Sequence, residues 1–199
     1  VESFQPAEYE IIPDRIEAGT YLIAGAVCGG EIFIRKGRFD HLDAVLATVT
    51  EAGVEVERRD NGLVVRGGGD LTPVDLTTLP YPGFPTDLQA QMTALLATVE
   101  GISLVTEKVY PERFMHIPEL NRLGADITLE GSTAIIRGGV PLSGAPLMAS
   151  DLRASAALVM AGLAARGTTA ISRIYHLERG YERMPEKLTA LGAQIRTIP

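Results

Sequence analysis

The sequence predicts an α/β domain made of three copies of one unit, with pseudo-threefold symmetry, helices at its centre and sheets outside them. Three observations lead there. Three segments of about 70 residues read alike, opening at Asp14, Asp87 and Asp151. In each copy one glycine (Gly30, Gly101, Gly167) closes a first helix and a second (Gly53, Gly124, Gly192) precedes a strand. The first helices carry apolar or small residues on nearly every face, as in ASAALVMAGLAA at 154–165. A helix without a polar face is buried on all sides, so three of them belong at the middle of the domain.

Each unit reads strand, helix, strand, helix, strand, then a hairpin partner. Tyr9–Ile12 is an expected short strand ending at Pro13, and the first buried helix runs from about Asp14 to Val27. The second helices are amphipathic. Leu42, Val45, Leu46 and Val49 follow the i, i+3, i+4, i+7 rule, with Ile117, Leu120 and Leu123, then Met184, Leu188 and Leu191, on the corresponding faces. Glycines stop these helices. Two hairpins follow, VEVERR–DN–GLVVRG with an Asn-Gly turn and ADITLEGSTAIIRG. The third copy has AQIRTI and no partner after it, so an open sheet edge is expected near Ile195–Ile198. The repeats span about 9–72, 73–141 and 142–199, after a linker at 1–8.

Composition narrows the function. A net charge of −7, from 25 acidic and 18 basic residues, lacks the basic face of a nucleic-acid binder. No apolar run reaches the roughly 18 residues of a membrane span, and no secretion signal opens the chain, which points to the cytoplasm. One cysteine and three histidines make an internal disulfide impossible and a structural zinc site unexpected. Cys28 reads as a small buried thiol, and His41, His116 and His176 as packing or capping residues. Gly67–Gly69 lacks the Lys-Ser/Thr of a phosphate loop and reads as a flexible turn.

Candidate site residues cluster at the helix starts. Asp87 follows the stiff turn YPGFPT and reads either as an N-cap, like Asp14 and Asp151, or as a carboxylate beside helix N-termini that contacts a sugar hydroxyl. Arg153 stands in the first turn of its helix, where a cation opposes the macrodipole. It reads as the ion-pair partner of Asp151 or Asp87, or as an anion clamp. Arg113 and Arg179 match each other, each twelve residues after its unit's glycine, in loops entering second helices. Threefold symmetry could bring these arginines to one end of the domain, where guanidinium forks suit carboxylate and phosphate.

The segments DRIEAGTYLIAGAV, YPGFPTDLQAQ, ERFMHIPELNRLGADI, ASDLRASAALVMAGLAARG and RIYHLERGYERMPEKLTALGA resemble the UDP-N-acetylglucosamine enolpyruvyl transferases, the 1-carboxyvinyltransferases that begin bacterial peptidoglycan synthesis. The resemblance covers nearly all of the chain from Tyr9 onward. It implies an inside-out α/β barrel of three βαβαββ repeats, one of two such domains, namely the half that ends the polypeptide. It implies enolpyruvyl transfer from phosphoenolpyruvate to the 3-hydroxyl of UDP-N-acetylglucosamine with release of phosphate, and no cofactor or metal. Asp87 would contact the 3-hydroxyl as the base. Val109 would bind the sugar nucleotide. Arg153 and Arg179 would clamp groups derived from phosphoenolpyruvate, with Arg113 and Asp151 completing the cleft. The family's mobile-loop cysteine, its usual general acid, lies in the companion domain and its Lys-Asn pair near the start of the full polypeptide, so a chain of this extent is expected to be inactive alone. In the family the opening segment of the polypeptide crosses over to supply a strand to this domain. A sugar-nucleotide binding or scaffold module, and a 3-phosphoshikimate 1-carboxyvinyltransferase-like domain, are the competing expectations.

Overall fold

The computed structural model describes residues 5–198, so residues 1–4 of the expected linker and Pro199 lie outside the described residues. Three central helices, α1 (Arg15–Cys28), α3 (Gln89–Ala97) and α5 (Leu152–Ala164), pack against one another. Every residue of α3 is buried, as the apolar-all-round pattern requires. Around them lie the amphipathic α2 (Asp43–Glu51), α4 (Ile117–Arg122) and α7 (Met184–Ala190), with the short α6 (Tyr175–Glu178) before the last. Leu42, Val45, Leu46 and Val49 are all buried on the inner side.

The sheets repeat the unit unequally. In the first unit β1 (Gly30–Arg35), β2 (Glu55–Arg59) and β3 (Gly62–Gly67) form an antiparallel sheet in the order β1-β3-β2. The second has the full complement, β4 (Leu76–Thr77), β5 (Gly101–Thr106), β6 (Asp126–Glu130) and β7 (Thr133–Gly138), in the order β4-β5-β7-β6, with β4 parallel to β5. Among the described residues the third has β8 (Pro146–Met148) and β9 (Ala170–Ser172), paired in parallel. Registers match between copies: Gly30 faces Gly67 as Gly101 faces Gly138. Both terminal glycines are there for clearance. A Cβ on Gly67 would lie 2.3 Å from the Gly25 carbonyl oxygen, and one on Gly138 2.1 Å from that of Val99, so only glycine lets these strands approach the central helices.

Two expected strands do not form. Residues 9–12 pair with no strand among the described residues, and Tyr9 and Ile11 are largely exposed. The second unit shows the reason. There the segment just before β4 is pinned through side chains, with the Val74 amide donating to Ser103 Oγ and the Leu104 amide to Asp75 Oδ1. By register Ile32 occupies the place of Ser103 in β1, so the first unit has no such anchor. Residues 193–198 also form no strand, and most of them are exposed. An isolated extended segment without a partner gains no ladder to offset the cost of ordering it. The turn at Asp60–Asn61 joins β2 to β3 as expected, with Asn61 at a positive φ of 69°. Among the described residues no helix is long and apolar enough to cross a membrane.

Candidate active site

The three equivalent aspartates behave differently. Asp14 caps α1, its Oδ1 accepting from the Ile16 and Glu17 amides at 2.7 and 3.2 Å. Asp151 caps α5 in the same way, accepting from the Arg153 and Ala154 amides at 2.7 and 2.9 Å. Asp87 caps nothing. Its helix is entered through a 3-10 turn at Thr86–Leu88 that has no side-chain cap. The carboxylate instead lies between two guanidinium groups. Arg113 Nη1 donates to Oδ1 at 2.7 Å and Arg153 Nη2 to Oδ2 at 3.0 Å. Of the two readings of Asp87, capping therefore fails, and of the readings of Arg153, the ion pair with Asp87 holds.

Local sequence produces this arrangement. Pro82, Gly83 and Pro85 make a tight turn, closed by the Leu79 amide donating to the Phe84 carbonyl at 3.0 Å. Thr86, one residue before Asp87, is held by Glu107, to whose Oε2 it donates at 2.8 Å. Glu107 is fully buried. It also accepts from the Thr78 hydroxyl and from the Val109 and Tyr110 amides, the last two at 2.8 and 3.0 Å. One carboxylate thus fastens the turn before Asp87 to the loop that carries Val109 and Arg113. Arg113 is further fixed by its amide donating to the Tyr110 carbonyl, by the Tyr110 ring 5.7 Å below its guanidinium, and by Thr86 Oγ1 at 3.2 Å. Glu107 was not among the residues singled out from the sequence, although a signal existed. The alternation along GISLVTE places Ser103, Val105 and Glu107 on one face, and that face is buried.

Arg153 offends the local dipole rule for a reason on its other side. Its guanidinium reaches the Tyr181 phenol, Nη1 to Oη at 3.3 Å, and lies 5.6 Å from the ring centroid. Burial alone would lower its pKa; Tyr181 and Asp87 outweigh that and hold it up. Burial alone would raise the Asp87 carboxyl, but the hydrogen bond from Arg113 and the charges of both arginines bring it below its ordinary value. Arg179, in contrast, is exposed at the end of α6 and makes no ion pair among the described residues. Its neighbour Gly180 packs against Leu152 at the start of α5, which holds Arg179 near that helix end as an unengaged cation. Val109 is half-buried with its amide committed to Glu107. The structure thus joins Asp87, Arg113 and Arg153 directly, gives Asp151 to the α5 cap beside them, and leaves Arg179 outside the cluster.

Cys28 is exposed, which corrects the expectation of a buried thiol. It is the last residue of α1, where the helix emerges from between its neighbours; partial covering of the thiol still raises its pKa, which disfavours the nucleophilic thiolate. His116 is fully buried at the start of α4, and its pKa is pushed down to about 4, mainly by that burial.

A carboxylate flanked by fixed arginines at one end of the domain can accept a proton once its counterions are engaged elsewhere, and the arginines can take anionic oxygens. The comparisons bear on which chemistry this is. The sequence profile of the EPSP synthase (3-phosphoshikimate 1-carboxyvinyltransferase) family matches residues 1–188. The UDP-N-acetylglucosamine 1-carboxyvinyltransferase of Granulibacter bethesdensis is 55% identical over 198 residues, 100% of this chain and 47% of that protein. The protein of the same name from Gluconacetobacter diazotrophicus is 56% identical over the same share. The chain therefore spans about half the length of the curated relatives it matches. Among solved structures, the enolpyruvyl transferase NikO from Streptomyces tendae superposes with a TM-score of 0.85 at 33% identity, covering 95% of this chain and 46% of that one. EPSP synthase from Acinetobacter baumannii gives 0.70 at 20% identity, covering 96% and 45%, a likeness of fold. These neighbours carry the inside-out α/β barrel, and with the match over residues 1–188 the chain belongs to the EPSP synthase family.

Proposed function

We propose that this domain is half of an enzyme that transfers the enolpyruvyl group of phosphoenolpyruvate to the 3-hydroxyl of UDP-N-acetylglucosamine, with a companion domain closing the cleft over it. The observation that carries the reading is Asp87, withdrawn from helix capping and held by Arg113 and Arg153. The sugar-nucleotide acceptor is favoured over shikimate 3-phosphate because the curated relatives at 55–56% identity bear that name, whereas the EPSP synthase structure shares 20% of its sequence.

In this reading the hydroxyl oxygen of the sugar bonds to C2 of phosphoenolpyruvate, its proton passes to Asp87, and an acid of the companion domain adds a proton at C3. The tetrahedral adduct then loses phosphate from C2, which carries off the proton held by Asp87, while the conjugate base of that acid takes a proton back from C3, which restores the vinyl group. Arg153 and Arg113 turn from Asp87 toward the carboxylate or phosphate oxygens. That exchange frees Asp87 of the contacts that depress its basicity, so the base strengthens when the anion arrives. Arg179, unpaired among the described residues, supplies a further fork for the same anion. Val109, on the loop fixed by Glu107, offers backbone to the sugar nucleotide, and Asp151 holds the start of α5 under Arg153.

The test is phosphate release by the full-length protein carrying this domain, with phosphoenolpyruvate and either UDP-N-acetylglucosamine or shikimate 3-phosphate as acceptor. Turnover with the sugar nucleotide alone is expected. Turnover with shikimate 3-phosphate alone overturns the acceptor, and binding of the sugar nucleotide without turnover reduces the domain to a binding module.

A further inference from the structure

The Tyr181 phenol is a meeting point of all three units. Its ring is 2% exposed and packs with Ala156, Val159, Leu177, Met184 and Leu188 in a core cluster of its own. Its oxygen lies 2.9 Å from Thr20 Oγ1 of α1, 3.2 Å from Gln91 Nε2 of α3 and 3.3 Å from Arg153 Nη1 of α5. Gln91 Nε2 also reaches Thr20 Oγ1 and the Asp87 carbonyl, both at 3.0 Å. Gln91 and Arg153 can only donate through these nitrogens, so the phenol oxygen accepts from Arg153, while the two hydrogens of Gln91 Nε2 are shared among Tyr181, Thr20 and the Asp87 carbonyl. A lone pair of the phenol is thereby aimed at Arg153, and each of the groups fixing the phenol is anchored on a different central helix.

We infer that Tyr181 is a positioning residue that holds Arg153 in place while the guanidinium exchanges Asp87 for a substrate anion. Among the described residues the Arg153 side chain has two hydrogen-bond partners, Asp87 and Tyr181. When it leaves the first, Tyr181 is the contact that remains, above a ring that cannot move without disturbing the core. The inference deepens the proposed transfer reaction and rests on it for its kinetic consequence, although the hydrogen-bonded geometry stands independently.

The experiment is a double-mutant cycle of Tyr181→Phe and Arg153→Ala in the full-length protein, read by kinetics and by thermal melting. Phenylalanine keeps the buried ring and removes only the hydroxyl. Loss of one hydrogen bond to a charged group is expected to lower kcat/KM for phosphoenolpyruvate about tenfold, with KM for the sugar nucleotide changing less than about twofold on the same reasoning. In the Arg153→Ala background Tyr181→Phe is expected to have no further effect on phosphoenolpyruvate use. Effects that multiply in the cycle, or equal losses for both substrates, overturn the positioning role. If the parent protein shows no turnover with either acceptor, the transfer reading fails and melting decides this inference by itself. Non-additive shifts in Tm support coupling of Tyr181 to Arg153, and additive shifts overturn it.

Discussion

Three central helices begin at equivalent places, each beside an aspartate, and they solve the same local problem in different ways. Asp14 and Asp151 turn their carboxylates inward to the free amides of the first turn. Asp87 turns outward to Arg113 and Arg153, while its helix starts through a 3-10 turn. Capping is the response of a short acidic side chain to an unsatisfied helix end when nothing competes. In the second unit something competes: a Pro-Gly-Pro turn sets the path of the chain, and Thr86 is tied to Glu107. In the proposed reading this difference marks the reaction centre. A residue that could satisfy a local rule and does not is held by neighbours for another purpose.

The comparison can be broken at several points. Apart from Asp87 itself, the largest effect is expected from Arg153→Ala in the full-length protein. Loss of a fixed donor to developing charge lowers kcat by about 10²–10³, and steady-state kinetics with varied phosphoenolpyruvate measures it. A loss smaller than threefold would mark Arg153 as a mere counterion of Asp87.

His116 offers a test through pH. Its folded pKa of about 4 lies below the ordinary 6.5, because burial disfavours the charged ring. The unfolded chain therefore binds the extra proton first as pH falls, and stability is lost between about 6.5 and 4. The full window is worth on the order of 3 kcal/mol. His116→Gln is expected to flatten that part of the stability profile measured by urea titration. The Asp87 cluster acts at lower pH. With its pKa depressed, its contribution is present above the ordinary carboxylate value and fades as pH falls through the lowered one.

Arg179→Lys keeps the charge and removes the planar fork. About a tenfold loss in kcat/KM for phosphoenolpyruvate is expected, with sugar-nucleotide affinity by calorimetry unchanged. An unaltered phosphoenolpyruvate dependence would return Arg179 to the solvated surface. The smallest effect belongs to Asp151→Ala, where loss of the cap costs about 1 kcal/mol in melting. The turnover change in that variant reports how far Arg153 depends on the α5 start.

Much of this was legible in the sequence because it depends on pattern alone. Helices without a polar face must be central, and the VRG and IRG strand ends recur because both strands approach a helix closely. The misses share a different cause. Residues 9–12 and 195–198 carry strand-like side chains, but a strand exists only with a partner, and pattern does not say whether the partner is at hand. Cys28 continues an apolar run, yet burial at a helix end depends on what lies over it. Tyr181 acts through contacts between units, and Glu107 through contacts between two loops of the second unit. Glu107 left a trace in the alternation of its strand, and Thr20 and Gln91 left one as polar residues in helices otherwise read as apolar. What these residues join became visible only with the elements folded together. Arg113 and Arg153 were candidates for one cluster from symmetry; their shared partner, Asp87, was one of several open choices.

The most direct measurement compares Asp14→Ala with Asp87→Ala in the full-length protein, following thermal stability and phosphate release on the same samples. Asp14→Ala is expected to lose about 1 kcal/mol of stability and to keep its turnover. Asp87→Ala is expected to lose turnover by about 10²–10⁴-fold, as removal of a general base does, with no capping loss because Asp87 makes no cap. If instead Asp87→Ala melts like Asp14→Ala and retains its turnover, Asp87 is one more helix-end residue and the site described here is not the reaction centre.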